Sequence, residues 1–264
     1  MFTAVSLRLP ARALAAPALA ALAGAYLAVA PAAAPAAEID HARQYRACMT
    51  LVQRDAEEAF DSALAWHDMG GGDAASHCVA AALLGLKQYA EAGRRFETLA
   101  RKIKAKPHLR AELLAQAAQA WLLDGKPERA DSALTAALKL NPDAADLLTD
   151  RAAARAAMKL YREAVEDLDR AIELEPGRAD AFVFRASAYR YLASLDLAAA
   201  DLERALALEA EHPEGLLERG IVRRLKGDKD GARRDWLEVL DVAPGTSAAR
   251  AAQANLEKMD VKAP

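Results

Sequence analysis

Aromatic side chains are scarce in this 264-residue chain, at 5% of residues, although 53% of its residues are hydrophobic and many of these are alanine. A thick single core needs bulky side chains, so the composition favours small, closely packed helices. Neither charge sign is in large excess, since the formal net charge is -3. Nucleic acids and anionic membranes require clustered lysines and arginines, so this balance argues against both kinds of partner.

Cysteines and histidines are also few, with two and five residues. No pair stands at the spacing of metal ligands, and no nucleophile, base and orienting group can be assembled, so we expect no metal, no cofactor and no enzymatic activity. His77 directly precedes Cys78, but adjacent helical residues diverge by about 100°, which disfavours an activating hydrogen bond. The glycine run 70–72 lacks the Lys-Ser or Lys-Thr of a phosphate-binding loop and is better explained as a turn.

The only long apolar run lies at the N-terminus. Arg8 and Arg12 precede an Ala/Leu stretch over residues 13–30, and a Pro/Ala run follows over residues 31–37. This layout predicts a secretory signal peptide over residues 1–37, with Ala36 or Ala32 before the cleaved bond, and hence a periplasmic protein without membrane insertion after cleavage. An uncleaved inner-membrane anchor is the alternative, because 18 weakly apolar residues are near the lower limit for a span.

The remaining sequence repeats with a period close to 34 residues. Alignment at Asp40, Asp73, Ala111, Ala145, Ala179 and Pro213 gives spacings of 33, 38, 34, 34 and 34 residues. Position 8 of the six units is Ala47, Ala80, Ala118, Ala152, Ala186 and Gly220, and position 20 is Ala59, Ala92, Ala130, Ala164, Ala198 and Ala232. Antiparallel helices approach closely only where side chains are small, so each unit is predicted to be a helical hairpin.

Two further positions complete the pattern. Position 24 is large in five units, as Phe96, Leu134, Leu168, Leu202 and Trp236, and position 32 is proline in three, as Pro142, Pro176 and Pro244. The sequence thus resembles the tetratricopeptide repeat family, most strongly over residues 145–176. The resemblance implies an all-α, right-handed α-solenoid of six hairpins: degenerate units one and two over 38–110, four regular units over 111–246, and a capping helix with a tail over 247–264.

Position 7 and position 23 change together in units three to six. The pairs Arg151 with Asp167, Arg185 with Asp201, and Arg219 with Asp235 occupy these positions in units four to six, whereas unit three has Ala117 and Ala133. A guanidinium fork suits a carboxylate, so we expect one structural ion pair across each of these three hairpins. A repeated pair serves repeated architecture, which argues against a catalytic role for the acids.

The two cysteines fall in the first helices of units one and two. First helices of neighbouring repeats pack side by side, so we expect a disulfide between Cys48 and Cys78 in an oxidising compartment. Two buried free thiols are the alternative.

The resemblance also places positions 2, 5, 9 and 12 of each first helix in a concave groove. We expect units five and six to bind a protein or peptide partner there through Val183, Ser187, Arg190, Leu217, Ile221 and Arg224. In this hypothesis Arg190 and Arg224 pair with partner carboxylates, while Leu217 and Ile221 bury an apolar side chain. The alternative is that these are ordinary solvated residues.

The resemblance and the predicted signal peptide together imply a protein-interaction scaffold or adaptor of the bacterial cell envelope. Two alternatives stay open: a regulatory subunit of an envelope enzyme complex, and a membrane-anchored structural component.

Overall fold

A computed structural model describes residues 40–260, and within that range regular structure is entirely helical. A short π-helical turn, His67–Gly71, separates α2 from α3. The thirteen α-helices of the described range are α1 (His41–Arg54), α2 (Ala56–Trp66), α3 (Gly72–Gly85), α4 (Tyr89–Lys102), α5 (Pro107–Leu123), α6 (Pro127–Leu140), α7 (Ala145–Ala157), α8 (Tyr161–Leu174), α9 (Ala179–Tyr191), α10 (Leu195–Leu208), α11 (Pro213–Leu225), α12 (Lys229–Val242) and α13 (Ser247–Asp260).

The first twelve helices form six hairpins, one for each predicted unit. In units two to six the hairpin turn has three residues, and its middle residue has a positive φ: Lys87, Gly125, Lys159, Ala193 or Gly227. A left-handed residue reverses the chain in a short turn, so the same local geometry recurs along the stack. The hairpin turn thus has the same length from unit two onward, and the additional residues of unit two lie after α4.

The hairpins stack so that first helices lie on the inner side. The first helices α5, α7, α9 and α11 each pack against the next, whereas second helices of successive units pack less closely with one another. Elements that crowd together on one side and separate on the other produce a curved stack. The first helices therefore form the concave face, which is called the groove below.

Small residues mark the helix contacts, as predicted, with one exception. Eleven of the twelve side chains at positions 8 and 20 are buried, but Ala47 is exposed. Its neighbour Cys48 is buried instead, with Sγ 3.9 Å from the carbonyl oxygen of Ala59. Asp55 alone joins α1 to α2. Because this turn is so short, the register of α1 is displaced by one residue, and the alignment from Asp40 is wrong for this helix.

A disulfide and a final helix complete the stack. Cys48 in α1 and Cys78 in α3 form the expected disulfide, with their Cα atoms 6.4 Å apart. At the other end, α13 covers the last hairpin, because Ala252 and Leu256 belong to the same buried cluster as Trp236 and Val239. No helix within residues 40–260 is long and apolar enough to span a membrane. The predicted signal peptide, residues 1–37, lies outside the described residues.

Candidate functional site

Exposure along the first helices shows which of their positions are accessible and which are buried. In α9, position 2 (Asp180), position 6 (Phe184) and position 13 (Tyr191) are exposed, whereas position 5 (Val183) is buried at 5% exposure. Position 5 is also buried in α7, as Thr149. Position 5 is therefore buried in units four and five, and the assignment of Val183 to the groove surface is corrected: its side chain lies in a buried cluster with Phe182 and Ala205.

Arg190 has an internal partner. Its guanidinium is paired with the carboxylate of Glu218, a residue with only 7% exposure, and it also lies 4.1 Å from the ring centroid of Tyr191. A buried carboxylate left without its cation would destabilise the fold. Arg190 therefore joins α9 to α11, and the prediction that it pairs with a partner carboxylate is corrected.

The other four predicted groove residues remain at the surface to different degrees. Arg224 is exposed, Ser187 is half-buried, and Leu217 and Ile221 are half-buried against the cluster that includes Trp236. These four residues remain a proposed contact surface. Arg224 is its one positive charge, because Arg190 is paired with Glu218.

Large apolar side chains that the sequence reasoning missed lie at position 13. Leu123, Tyr191 and Leu225 are each more than half exposed, at 52%, 57% and 52%. The ring of Tyr191 stacks on Tyr161, with centroids 4.6 Å apart. Position 13 is apolar in units three to six, since unit four has Ala157 there. That regularity was visible in the sequence and would have identified an apolar residue at the C-terminal end of each of these first helices, called the apolar edge below.

The three arginine and aspartate pairs lie across their hairpins. Nη2 of Arg151 is 2.6 Å from Asp167 Oδ1, and the corresponding distances are 2.7 Å for Arg185 with Asp201 and 2.8 Å for Arg219 with Asp235. The structure adds contacts between units, because Arg185 Nη1 also lies 2.7 Å from Asp169 of the preceding hairpin. These pairs are thus contacts within and between hairpins.

A second series of ion pairs joins the start of one first helix to the residue that precedes the next first helix. In unit four Asp146, at position 2, pairs with Arg178, which precedes α9. In unit five Asp180 pairs with His212, which precedes α11, at 2.9 Å. In both cases a basic side chain from the loop before the next first helix contacts the carboxylate of the acid at position 2.

Between α3 and α5 the stack instead contains a cavity of about 450 Å³, called the N-terminal pocket below. Its apolar walls include Leu99, Ile103, Leu109 and Leu113, and the charged side chains of its lining are those of Asp73 and Glu112. The exposed Lys104 and Lys106 lie on the adjacent loop and are not part of the lining.

A hydrogen-bonded chain crosses the N-terminal pocket. His77 Nδ1 lies 3.1 Å from Tyr45 Oη, and His77 Nε2 lies 2.9 Å from Gln116 Oε1. Burial lowers the pKa of His77, and the hydrogen bond to Gln116 opposes that effect in part. One neutral tautomer satisfies both contacts, since Nε2–H donates to Gln116 and Nδ1 accepts from the Tyr45 hydroxyl. The sequence reasoning excluded a His77–Cys78 dyad but did not find this chain, which depends on long-range packing.

Among the described residues, no group of three or more His, Cys, Asp or Glu side chains could hold a metal ion.

Solved structures of MamA resemble this chain. One crystal structure of MamA has 17% sequence identity and a TM-score of 0.54, covering 74% of this chain and 99% of that chain. MamA 41-end from Desulfovibrio magneticus RS-1 has 21% identity and a TM-score of 0.53, covering 79% and 98%. The second TPR domain of human RPAP3 has 29% identity and a TM-score of 0.43, covering 44% and 98%. No family model matches the chain, and no curated protein does.

The likeness to MamA is a likeness of fold. Together with the hairpins set at 34-residue spacing, it shows that the described chain is an all-α solenoid with the tetratricopeptide repeat fold.

Proposed function

We propose that this tetratricopeptide repeat solenoid is a scaffold or adaptor that binds a protein or peptide partner in its groove. The observation that carries the proposal is the apolar edge at position 13, where Leu123, Tyr191 and Leu225 stay exposed. Exposed apolar side chains that recur at the last residue of the first helices favour a partner that covers them. The human RPAP3 domain is described in complex with an HSP70 peptide.

We further propose that the protein acts in the bacterial cell envelope. The disulfide between Cys48 and Cys78 supports this location, because such bonds persist in oxidising compartments. The basic and apolar N-terminal sequence supports export. The mass of the protein purified from envelope fractions tests this point: loss of about 36 residues is expected after cleavage, whereas an intact chain would support the membrane-anchored alternative.

A groove-blocking variant tests partner binding. Ala153, at position 9 of α7, is half-buried in the groove, and Ala200 in α10 is exposed on a second helix. Ala153→Arg should remove the partner captured by tagged full-length protein from envelope extracts, because the new side chain occupies the groove. Ala200→Arg is the matched control and should retain the same partner.

Cross-linking followed by mass spectrometry then locates the contact. We expect cross-links from the partner to first helices, with both variants retaining the wild-type thermal midpoint. Cross-links confined to second helices, or a partner retained equally by the two variants, would contradict binding in the groove.

A further inference from the structure

The N-terminal pocket exists because unit two is longer than the regular units. It has 38 residues instead of 34, and an extended segment after Lys102 precedes α5. The helix α5 has 17 residues, whereas α7, α9 and α11 have 13 each, so α5 begins with an additional turn that carries Leu109. This turn forms one wall of the pocket, and Leu109 remains 42% exposed.

The acid at position 2 of unit three lacks the basic partner that its counterparts in units four and five have. In unit three, position 2 is Glu112, but the residue before α7 is Ala144, where unit four has Arg178 and unit five has His212. Asp73, at position 1 of unit two, is the second acid of the lining. The nearby Arg110 does not pair with it, because Nε of Arg110 donates to the carbonyl oxygen of Ala100 at 2.9 Å.

Both Asp73 and Glu112 are exposed and form no ion pair within the described residues. The pocket therefore presents two free carboxylates beside an apolar cavity.

We infer that the N-terminal pocket binds an arginine side chain of the partner, with an aliphatic neighbour of that arginine against Leu109 and Leu113. The inference rests on the proposed function and specifies its partner chemistry. A guanidinium already occupies the equivalent place at Asp146, where the chain supplies Arg178 itself. The bound arginine takes the same role toward Glu112, and Asp73 in the same lining adds a second negative charge.

The remaining groups of the pocket are compatible with a cation. The lowered pKa of His77 keeps its imidazole neutral near pH 7, so it does not repel the guanidinium. Tyr45 is held beside His77 and adds an aromatic ring to the wall. A cavity of about 450 Å³ lies within the range of sites that bind small ligands or single side chains.

The test uses two peptides and the full-length protein. The probe is acetyl-Ala-Leu-Arg-Leu-Ala-amide, and the control peptide has citrulline, which is uncharged and nearly isosteric, in place of arginine. Isothermal titration gives the affinities, and amide chemical shifts locate the site. We expect the arginine peptide to bind about tenfold more tightly than the citrulline peptide and to shift the amides of His77, Glu112 and Gln116.

Charge-removing variants complete the test. Asp73→Asn with Glu112→Gln should weaken binding of the arginine peptide about tenfold, whereas Glu214→Gln should change it less than about twofold. Glu214 is the matched control because it is an exposed acid at position 2 of unit six. Thermal melts of both variants confirm that the fold is retained.

Three outcomes would overturn the inference: no binding of the arginine peptide at millimolar concentration, equal affinity for the two peptides, or equal affinity of the wild type and the double variant. Binding located at α7 to α11 would also overturn it while leaving the proposed function intact. The Ala153→Arg experiment tests that function separately.

Discussion

At the scale of the residue, close packing between helices decides which small side chain is tolerated. Gly220 occupies position 8 of unit six, where the preceding four units have alanine. A Cβ atom at Gly220 would lie 2.7 Å from Cδ1 of Trp236. The indole is held by its own hydrogen bond, with Nε1 donating to the carbonyl oxygen of Leu217 at 3.1 Å. Glycine is therefore required here because position 24 is tryptophan.

Gly220→Ala should destabilise the protein by about 1–2 kcal/mol, because overpacking outweighs the helix preference of alanine. Gly177→Ala is the control, since a Cβ there meets no atom within 4 Å, and its effect should be within about 0.5 kcal/mol. Urea unfolding of both variants measures the difference. A Gly220→Ala protein as stable as wild type would show that Trp236 can move.

A second consequence at this scale concerns pH. Since burial lowers the pKa of His77, the unfolded chain binds a proton at higher pH than the folded protein does. The stability contributed by neutral His77 is thus complete above its ordinary pKa near 6.5 and is lost as the pH falls below that value. His77→Gln should show a smaller decline in urea midpoint than wild type between pH 7.5 and 5.5. Identical declines would assign the pH dependence to other groups.

At the scale of the element, the hairpins of units four to six each carry an internal ion pair that unit three lacks. Ala117 and Ala133 are buried at the two positions in unit three, and the hairpin α5/α6 forms without a charge there. Apolar residues are thus compatible with the same hairpin geometry. Positions 7 and 23 of a hairpin can therefore hold either a buried ion pair, as in units four to six, or two small apolar residues, as in unit three.

Arg185→Met should destabilise the protein by roughly 3 kcal/mol, because it leaves the carboxylate of Asp201, which is 10% exposed, without its cation. Arg185→Met combined with Asp201→Leu should be within about 1 kcal/mol of wild type, as the pair in unit three suggests. Thermal or urea melts of the single and double variants decide this. Equal losses in the two variants would contradict the pairing.

At the scale of the whole molecule, the stack is stabilised by contacts between neighbours and must be closed at its end. Ala252 and Leu256 of α13 are buried against the last hairpin. In a solenoid each hairpin contacts only adjacent ones, so an uncovered end exposes an entire apolar face.

Deleting residues 247–264 should expose Trp236 and Val239, lower the thermal midpoint and promote association of the protein. Deleting residues 261–264 alone is the control and should leave the midpoint unchanged. Differential scanning calorimetry and light scattering provide the two measurements. A monomeric truncated protein with the wild-type midpoint would show that α13 is dispensable.

Much of the fold was predictable because it repeats. Six hairpins, a final capping helix and the disulfide follow from small residues at fixed spacing and from the placement of two cysteines. Each unit folds in the same way, so the same residue pattern appears several times in the sequence and is easier to recognise. The register of α1 was not predictable in this way, because its one-residue turn at Asp55 breaks the period.

The candidate site was predictable only in part. The sequence by itself determined the helices, their pairing and their order, because these depend on side-chain size at regular intervals. Only the tertiary structure decided that Arg190 is bound to Glu218, that Val183 is buried, and that a pocket opens between α3 and α5. Those features depend on distances between separate repeats, where a buried side chain and a free one can occupy the same position of the sequence pattern.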